Sequence, residues 1–182
     1  MIAAVEVGDI EVFKLLHKQS HSKYDVVHRV FEDRETMLIK ACRGKLPHIA
    51  MYLLEHGADP NYSGAGGDYG ALFGPLGNAI VENHPLLVEK LIDAGADVEN
   101  VHLLLAVEEK RVEVVRVLAN RGSRDVNLKR ALSRAKKVEC EEVVKVLVRR
   151  IEVGIGSDES SSDGEEGMHA RWHHIRDHIL GT

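Results

Sequence analysis

Two pairs of histidines near the end of the chain have a spacing that could bind a metal ion. His169 and His173 are four residues apart, and so are His174 and His178, so each pair would share one face of a helix. No cysteine and no HExxH motif accompanies them. We therefore expect a solvated, histidine-rich face that titrates near pH ~6.5, and no metal site.

The common signatures of catalysis are not found in the sequence. GxxxxGK[ST] and GxSxG motifs do not occur. The glycine-rich stretch "GAGGDYG" (64–70) has no preceding strand and no following Lys-Ser/Thr pair, so we do not expect it to hold a phosphate group. We predict that the protein is not an enzyme and uses no cofactor.

Two serines in the acidic stretch "EVGIGSDESSSDGEEG" (152–167) have the spacing of an acidophilic kinase site. Ser160 and Ser162 are each followed three residues later by an acidic residue. Phosphorylation would add up to roughly −2 charge per site. The alternative, which we favour, is a plain disordered linker, because the stretch is nearly free of apolar residues.

Most of the chain before these C-terminal groups is built from a repeat. Five segments align without gaps on an alanine, and they span residues 3–16, 40–61, 78–100, 105–127 and 134–151. The alanines are Ala4, Ala41, Ala79, Ala106 and Ala135. An apolar pair follows eight and nine residues later, beginning with Val12 and Phe13, and a leucine follows at the twelfth residue in all five segments. This pattern predicts two short helices per unit, with the second presenting an apolar stripe to the core.

Glycines mark the end of three units. Gly57, Gly95 and Gly122 come just after the last apolar residue of the second helix. A left-handed glycine at this point ends a helix and frees the chain to turn. Because one pair of short helices cannot bury its own apolar faces, the units must stack on one another.

The stretch "ETMLIKACRGKLPHIAMYLLEHGADPN" (35–61) resembles the ankyrin repeat, and "GPLGNAIVENHPLLVEKLIDAGADVEN" (74–100) is nearly as similar. The resemblance covers about residues 1–151. It implies an all-α ankyrin-type solenoid of about five helix-turn-helix repeats that serves as a protein–protein interaction scaffold. The alanines are separated by 37, 38, 27 and 29 residues, so we expect insertions before repeats two and three and lost β-hairpin fingers in repeats four and five.

The resemblance also implies partner contacts on the first helix of each repeat. In this family the residues just after the alanine line the concave wall, and here they are Arg43, Glu82, Glu108 and Glu109. An alternative of equal weight is that these charged side chains contact only solvent. The insertion at 62–73 adds Tyr62 and Tyr69, since exposed aromatic residues on loops are typical binding anchors. We expect Phe73 to tuck under the next repeat instead.

Charge is distributed unevenly along the chain. Residues 110–150 carry 13 basic and 5 acidic residues, whereas residues 1–109 carry 9 and 17. The basic region could bind a polyanion or nucleic acid, but it contains no aromatic residue for base stacking, so this remains an alternative function. The acidic linker could instead fold back over the basic region and compete with an acidic ligand.

The rest of the prediction concerns organisation and location. We divide the chain into a repeat domain (1–151), an acidic linker (152–167) and an amphipathic segment (168–182) that contains the only tryptophan. The N-terminus is acidic and no run of about 18 apolar residues occurs, so we expect a monomeric cytoplasmic or nuclear protein without a membrane partner. It could be the N-terminal part of a larger signalling protein.

Overall fold

The structure is a computed structural model, which describes residues 7–20, 23–64, 74–122 and 127–157. The chain divides into two units after Arg150, and all described helices lie in the first unit except for the end of the last helix. The described ranges contain ten α-helices. They are α1 (Ile10–Gln19), α2 (Lys23–His28), α3 (Met37–Arg43), α4 (Pro47–Glu55), α5 (Pro75–Val81), α6 (Pro85–Asp93), α7 (Asn100–Glu108), α8 (Val112–Arg121), α9 (Leu128–Lys137) and α10 (Glu141–Ser157).

The helices of the first unit form two layers. The first helices of successive pairs, α3, α5, α7 and α9, contact one another in chain order. The second helices α4, α6 and α8 do the same, and α1 contacts α4. Within the described ranges there is no continuous strand, and the β pairing is an isolated antiparallel bridge between Val30 and Thr36. The predicted all-α solenoid is therefore confirmed.

The repeated alanine is completely buried on each of the four first helices α3, α5, α7 and α9. Ala41, Ala79, Ala106 and Ala135 occupy equivalent positions on α3, α5, α7 and α9, and all are 0% exposed. The repeated leucine of the second helices is equally buried, at Leu53, Leu91, Leu118 and Leu147. A small side chain on one helix and a large one on the other fill the space between the layers without strain. These positions confirm the alignment of repeats two to five.

The loop between the two helices of a pair has the same backbone conformation in each repeat. The residue four after the alanine has a positive φ, at Lys45 (57°), Asn83 (57°), Lys110 (53°) and Glu139 (54°). The alanine carbonyl then accepts a hydrogen bond from the next amide, as from Arg111 N to Ala106 O at 2.9 Å. This left-handed cap ends the first helix, and Pro47 and Pro85 begin the second helix in two of the pairs.

The second helices end differently in different repeats. Gly57 (φ 88°) and Gly95 (φ 92°) adopt the predicted left-handed conformation. The amide of the following alanine donates to the repeated leucine, as from Ala96 N to Leu91 O at 2.9 Å. Gly122 does not follow this pattern, because its φ is −62° and its backbone is extended. The prediction of a left-handed glycine there was wrong, and the chain leaves α8 in an extended direction.

Helix α1 departs from the predicted stripe. Phe13 is fully buried as predicted, but Val12 is 44% exposed and Leu15 is 55% exposed. The residue equivalent to Val12 is at most 1% exposed in the later second helices, for example Ile49 and Leu87. Ile49 and Leu87 lie on helices with a second-helix neighbour on each side, since α4 contacts α1 and α6, and α6 contacts α4 and α8, whereas the described residues contain no layer in front of α1. The apolar face of α1 is therefore only partly covered.

Candidate partner-binding surface

One position on each first helix of repeats two to five faces solvent. It lies two residues after the buried alanine, because a helix turns by about 100° per residue and the second step leaves the buried face. We call these four residues the exposed line: Arg43, Val81, Glu108 and Lys137. The exposed line contains a cation in repeat two, an apolar residue in repeat three, an anion in repeat four and a cation in repeat five. The buried alanine two positions earlier is the same in all four of these repeats.

A short hairpin before α3 forms a finger next to this line. Its two arms meet at the bridge between Val30 and Thr36, and Phe31 N donates to Glu35 O at 2.9 Å. Arg34 takes a positive φ of 61° at the tip. The ring of Phe31 lies 5.3 Å from the Lys40 ammonium, which is within cation–π distance. The finger is thus held to the first helix that follows it.

Ion pairs connect the finger to α3. Arg43 pairs with Glu35, and Lys40 pairs with both Asp33 and Glu35. The hydrogen bond from Lys40, together with one from the Glu35 amide, lowers the pKa of Asp33 below its usual value, and Asp33 in turn raises the pKa of Lys40. The predicted contact residue Arg43 therefore already has a partner within the chain.

The other predicted contact residues also form ion pairs, and two of them cross between repeats. Glu82 forms an ion pair with Lys45 at 3.0 Å, which joins repeats three and two. Glu108 pairs with Arg134, which joins repeats four and five and raises the pKa of Arg134. Glu109 pairs with Arg111 of its own repeat at 3.5 Å. Such exposed pairs contribute about 0–1 kcal/mol each, so they align the repeats only weakly.

The aromatic insertion is described only at its beginning. Tyr62 is half-buried, and its ring lies close to Gly64. Gly64 approaches the finger so closely that a Cβ there would lie 2.0 Å from the carbonyl oxygen of Arg34. The start of the insertion therefore packs on the finger of the preceding repeat. Tyr69 and Phe73 lie outside the described residues, as do Ser160, Ser162, the C-terminal histidine pairs and the acidic linker from residue 158.

Asn61 has a structural role that the sequence analysis missed. Its side-chain amide donates to Gly95 O at 2.9 Å, and its side-chain oxygen accepts from Asp97 N at 2.8 Å. The two bonds fix the turn after α4 to the turn after α6. Asn100 makes a similar bond, accepting from Asn127 N at 2.6 Å. The asparagine at the end of "GADPN" was the signal that could have indicated this link.

The described residues show no candidate metal site and no membrane-spanning helix. They contain no group of three or more histidine, cysteine or acidic side chains that could hold a metal ion. Burial raises the pKa of Cys42 to about 12, so its thiol is not a nucleophile at neutral pH. Of the helices described, none combines the length and the apolar character that a bilayer crossing needs.

Comparison with known proteins identifies the architecture. A family model described as "Ankyrin repeats (3 copies)" matches residues 1–101, which is more than half of the chain. Among solved structures, the chain is similar to the ankyrin repeat domain of human ASB11, with 27% sequence identity and a TM-score of 0.61. The match covers 81% of this chain and 66% of that chain, just under two thirds of its length. No curated protein matches the sequence.

Proposed function

The chain belongs to the ankyrin-repeat family, and we propose that it binds a protein partner through the surface of its first helices and the insertion at 62–73. Ankyrin repeats are generally protein–protein interaction modules. The partner-specific part of such a module is carried by exposed residues, because the buried residues are already committed to holding the repeats together.

The observation that carries this proposal is the exposed line. Its four residues lie at one register position on consecutive first helices, and all four side chains are exposed. Val81 is the large apolar side chain among them and is 40% exposed. An apolar residue between charged neighbours is the arrangement of a binding hot spot, in which a central contact excludes water and a polar rim surrounds it.

The ion pairs on this surface are compatible with partner contacts. In the proposal, each predicted contact residue breaks its ion pair within the chain and forms a new one with the bound protein. These residues are Arg43, Glu82, Glu108 and Glu109. Because an exposed pair is worth only about 0–1 kcal/mol, the exchange costs little and leaves the fold intact. The tyrosines Tyr62 and Tyr69 add aromatic contacts from the insertion.

The test compares partners that crosslink to the full chain with those that crosslink to Val81→Asp. We expect the variant to lose at least about tenfold in capture of its specific partner, since a buried charge opposes the central contact. The matched control is Leu86→Asp on the second helix α6, where Leu86 is 56% exposed. The Tyr62→Ala/Tyr69→Ala variant tests the insertion separately. Equal capture by Val81→Asp and the unmodified chain would refute the proposed surface.

A further inference from the structure

Arg124 lies outside the described residues, and the structure divides the other twelve basic residues of the 110–150 region into two groups. One group already has partners: Arg111 with Glu109, Arg116 with Glu113, Arg121 with Asp93, Arg134 with Glu108, Lys145 with Glu141, and Arg150 with the carbonyl of Ala119. The second group has no ion pair among the described residues, and it consists of Lys110, Lys129, Arg130, Lys136, Lys137 and Arg149. Four members of the second group lie on one helix, α9.

Helix α9 presents its charges on a single side. Its sequence "LKRALSRAKK" contains five basic residues and no acidic one. Ala131, Leu132 and Ala135 face the core. The opposite side holds what we call the basic stripe: Lys129, Arg130, Arg134 and Lys137, with Ser133 between them. At 1.5 Å per residue the stripe extends about 12 Å along the helix axis.

The stripe is an unfavourable arrangement for the isolated protein. Arg130 and Arg134 are four residues apart, so their like charges are neighbours on the helix surface and repel each other. Within the described part of the chain, Arg134 is the one member of the stripe with an acidic partner, Glu108. A negatively charged ligand would relieve this repulsion, and the neighbouring first helices do not supply one because their described acids are already paired.

We infer that the basic stripe binds an extended acidic segment of a partner protein, with acidic side chains at alternate positions. This inference rests on the proposed function, because it specifies the chemistry of the protein partner at one end of the exposed line. Residues four apart on a helix are separated by about 6 Å along the axis. Alternate residues of an extended chain point to the same side and are about 6.6 Å apart, which is close to the separation of Arg130 and Arg134 along the helix.

The surroundings of the stripe favour an acidic peptide over a nucleic acid. Exposed acids follow α9 directly, at Glu139, Glu141 and Glu142. A nucleic acid carries a charge every few ångströms along its whole length and would continue over these acids, whereas a peptide needs only the roughly 12 Å of the stripe. The region also contains no aromatic side chain on which a base could stack.

The test measures binding of the full chain to a fluorescein-labelled peptide of alternating Glu and Ser. The Lys129→Gln/Lys137→Gln variant removes two charges of the stripe, and we expect it to weaken binding by roughly tenfold, because each lost exposed contact weakens binding by roughly threefold. Ser133→Glu places an acid within the stripe and should weaken binding similarly. Binding should also fall steeply with added salt, because the charges are exposed.

The matched control is Lys90→Gln/Arg116→Gln, which removes the same charge from the second helices α6 and α8. We expect it to change binding by less than about twofold, and circular dichroism checks that every variant folds. Equal losses in the control and the stripe variants would overturn the inference, because net charge alone would then explain binding. A labelled single-stranded oligonucleotide that binds the stripe while the peptide does not would also overturn it.

The test of the basic stripe and the test of the proposed surface can fail independently of each other. A crosslinked partner that is lost in Val81→Asp but fully retained in Lys129→Gln/Lys137→Gln would refute the acidic-segment inference and leave the interaction surface standing. A partner unaffected by Val81→Asp would refute the proposed surface, whatever the peptide experiment shows.

Discussion

Replacing Lys110 by glycine should stabilise the protein, although no contact is added. Lys110 lies in the loop between α7 and α8 with a φ of 53°, where an L-amino acid is strained by its Cβ atom. Its side chain is exposed and forms no ion pair with any residue that the structure describes. Its amide donates to Val107 O at 3.1 Å, and glycine retains this amide. The substitution therefore removes strain and leaves the cap intact.

The size of the effect follows from two opposing terms. A left-handed conformation costs a non-glycine residue about 1–2 kcal/mol in the folded state. Glycine has more freedom in the unfolded chain, which costs about 0.5–1 kcal/mol. The difference predicts a gain of about 0.5–1 kcal/mol in the free energy of unfolding. For a chain of this length such a gain raises Tm by about 2 °C.

Urea denaturation followed by circular dichroism measures the gain, and Lys110→Ala is the matched control. Alanine removes the same charge but keeps the Cβ atom, so we expect no increase in the free energy of unfolding from it. If alanine stabilises the protein as much as glycine does, the effect comes from charge removal and the strain argument is refuted. A loss of stability in Lys110→Gly would refute it directly.

Two further perturbations have defined outcomes. Gly64→Ala should lose more stability than Gly57→Ala in urea denaturation, because a Cβ at Gly64 would lie 2.0 Å from Arg34 O whereas nothing lies within 4 Å at Gly57; equal losses would contradict this. Burial raises the pKa of the Cys42 thiol from its usual value of 9.0 to about 12 in the folded protein. Above pH 9.0 the thiol therefore loses its proton in the unfolded chain but keeps it in the folded one. This group then lowers the free energy of unfolding by about 1.4 kcal/mol per pH unit. Cys42→Ala should reduce the slope of unfolding free energy against pH in this range, and an unchanged slope would show that another group causes it.

The packing of the repeats was predictable from the sequence because it depends on local spacing. The intervals between Ala41, Leu53 and Gly57 lie within one helix pair, and the same intervals recur in the next pair. A periodic pattern of this kind determines which residues face the core before any long-range contact is known. The burial of Ala41 and Leu53 and the left-handed Gly57 follow from it.

The charge pairs of the candidate surface could not be predicted in the same way. Glu108 and Arg134 are 26 residues apart, and their contact depends on how one repeat is placed against the next. The conformation of Gly122 depends on the chain that follows it, which lacks the "GAD" sequence of the other turns. The exposure of Val12 depends on what covers α1, and a pattern within the helix carries no information on that neighbour.

The two bonds of Asn61 have a consequence for how this protein could be engineered. Because they join the turn after α4 to the turn after α6, they hold together residues that precede and follow the insertion, and the alignment of repeats two and three does not depend on the insertion itself. The length of the insertion is then decoupled from the stacking of the helices, and each doubling of a flexible loop costs only about 0.6 kcal/mol in closure entropy. A foreign sequence grafted between Gly64 and Gly74 would be displayed on a preassembled base, which makes this position suitable for building loop libraries.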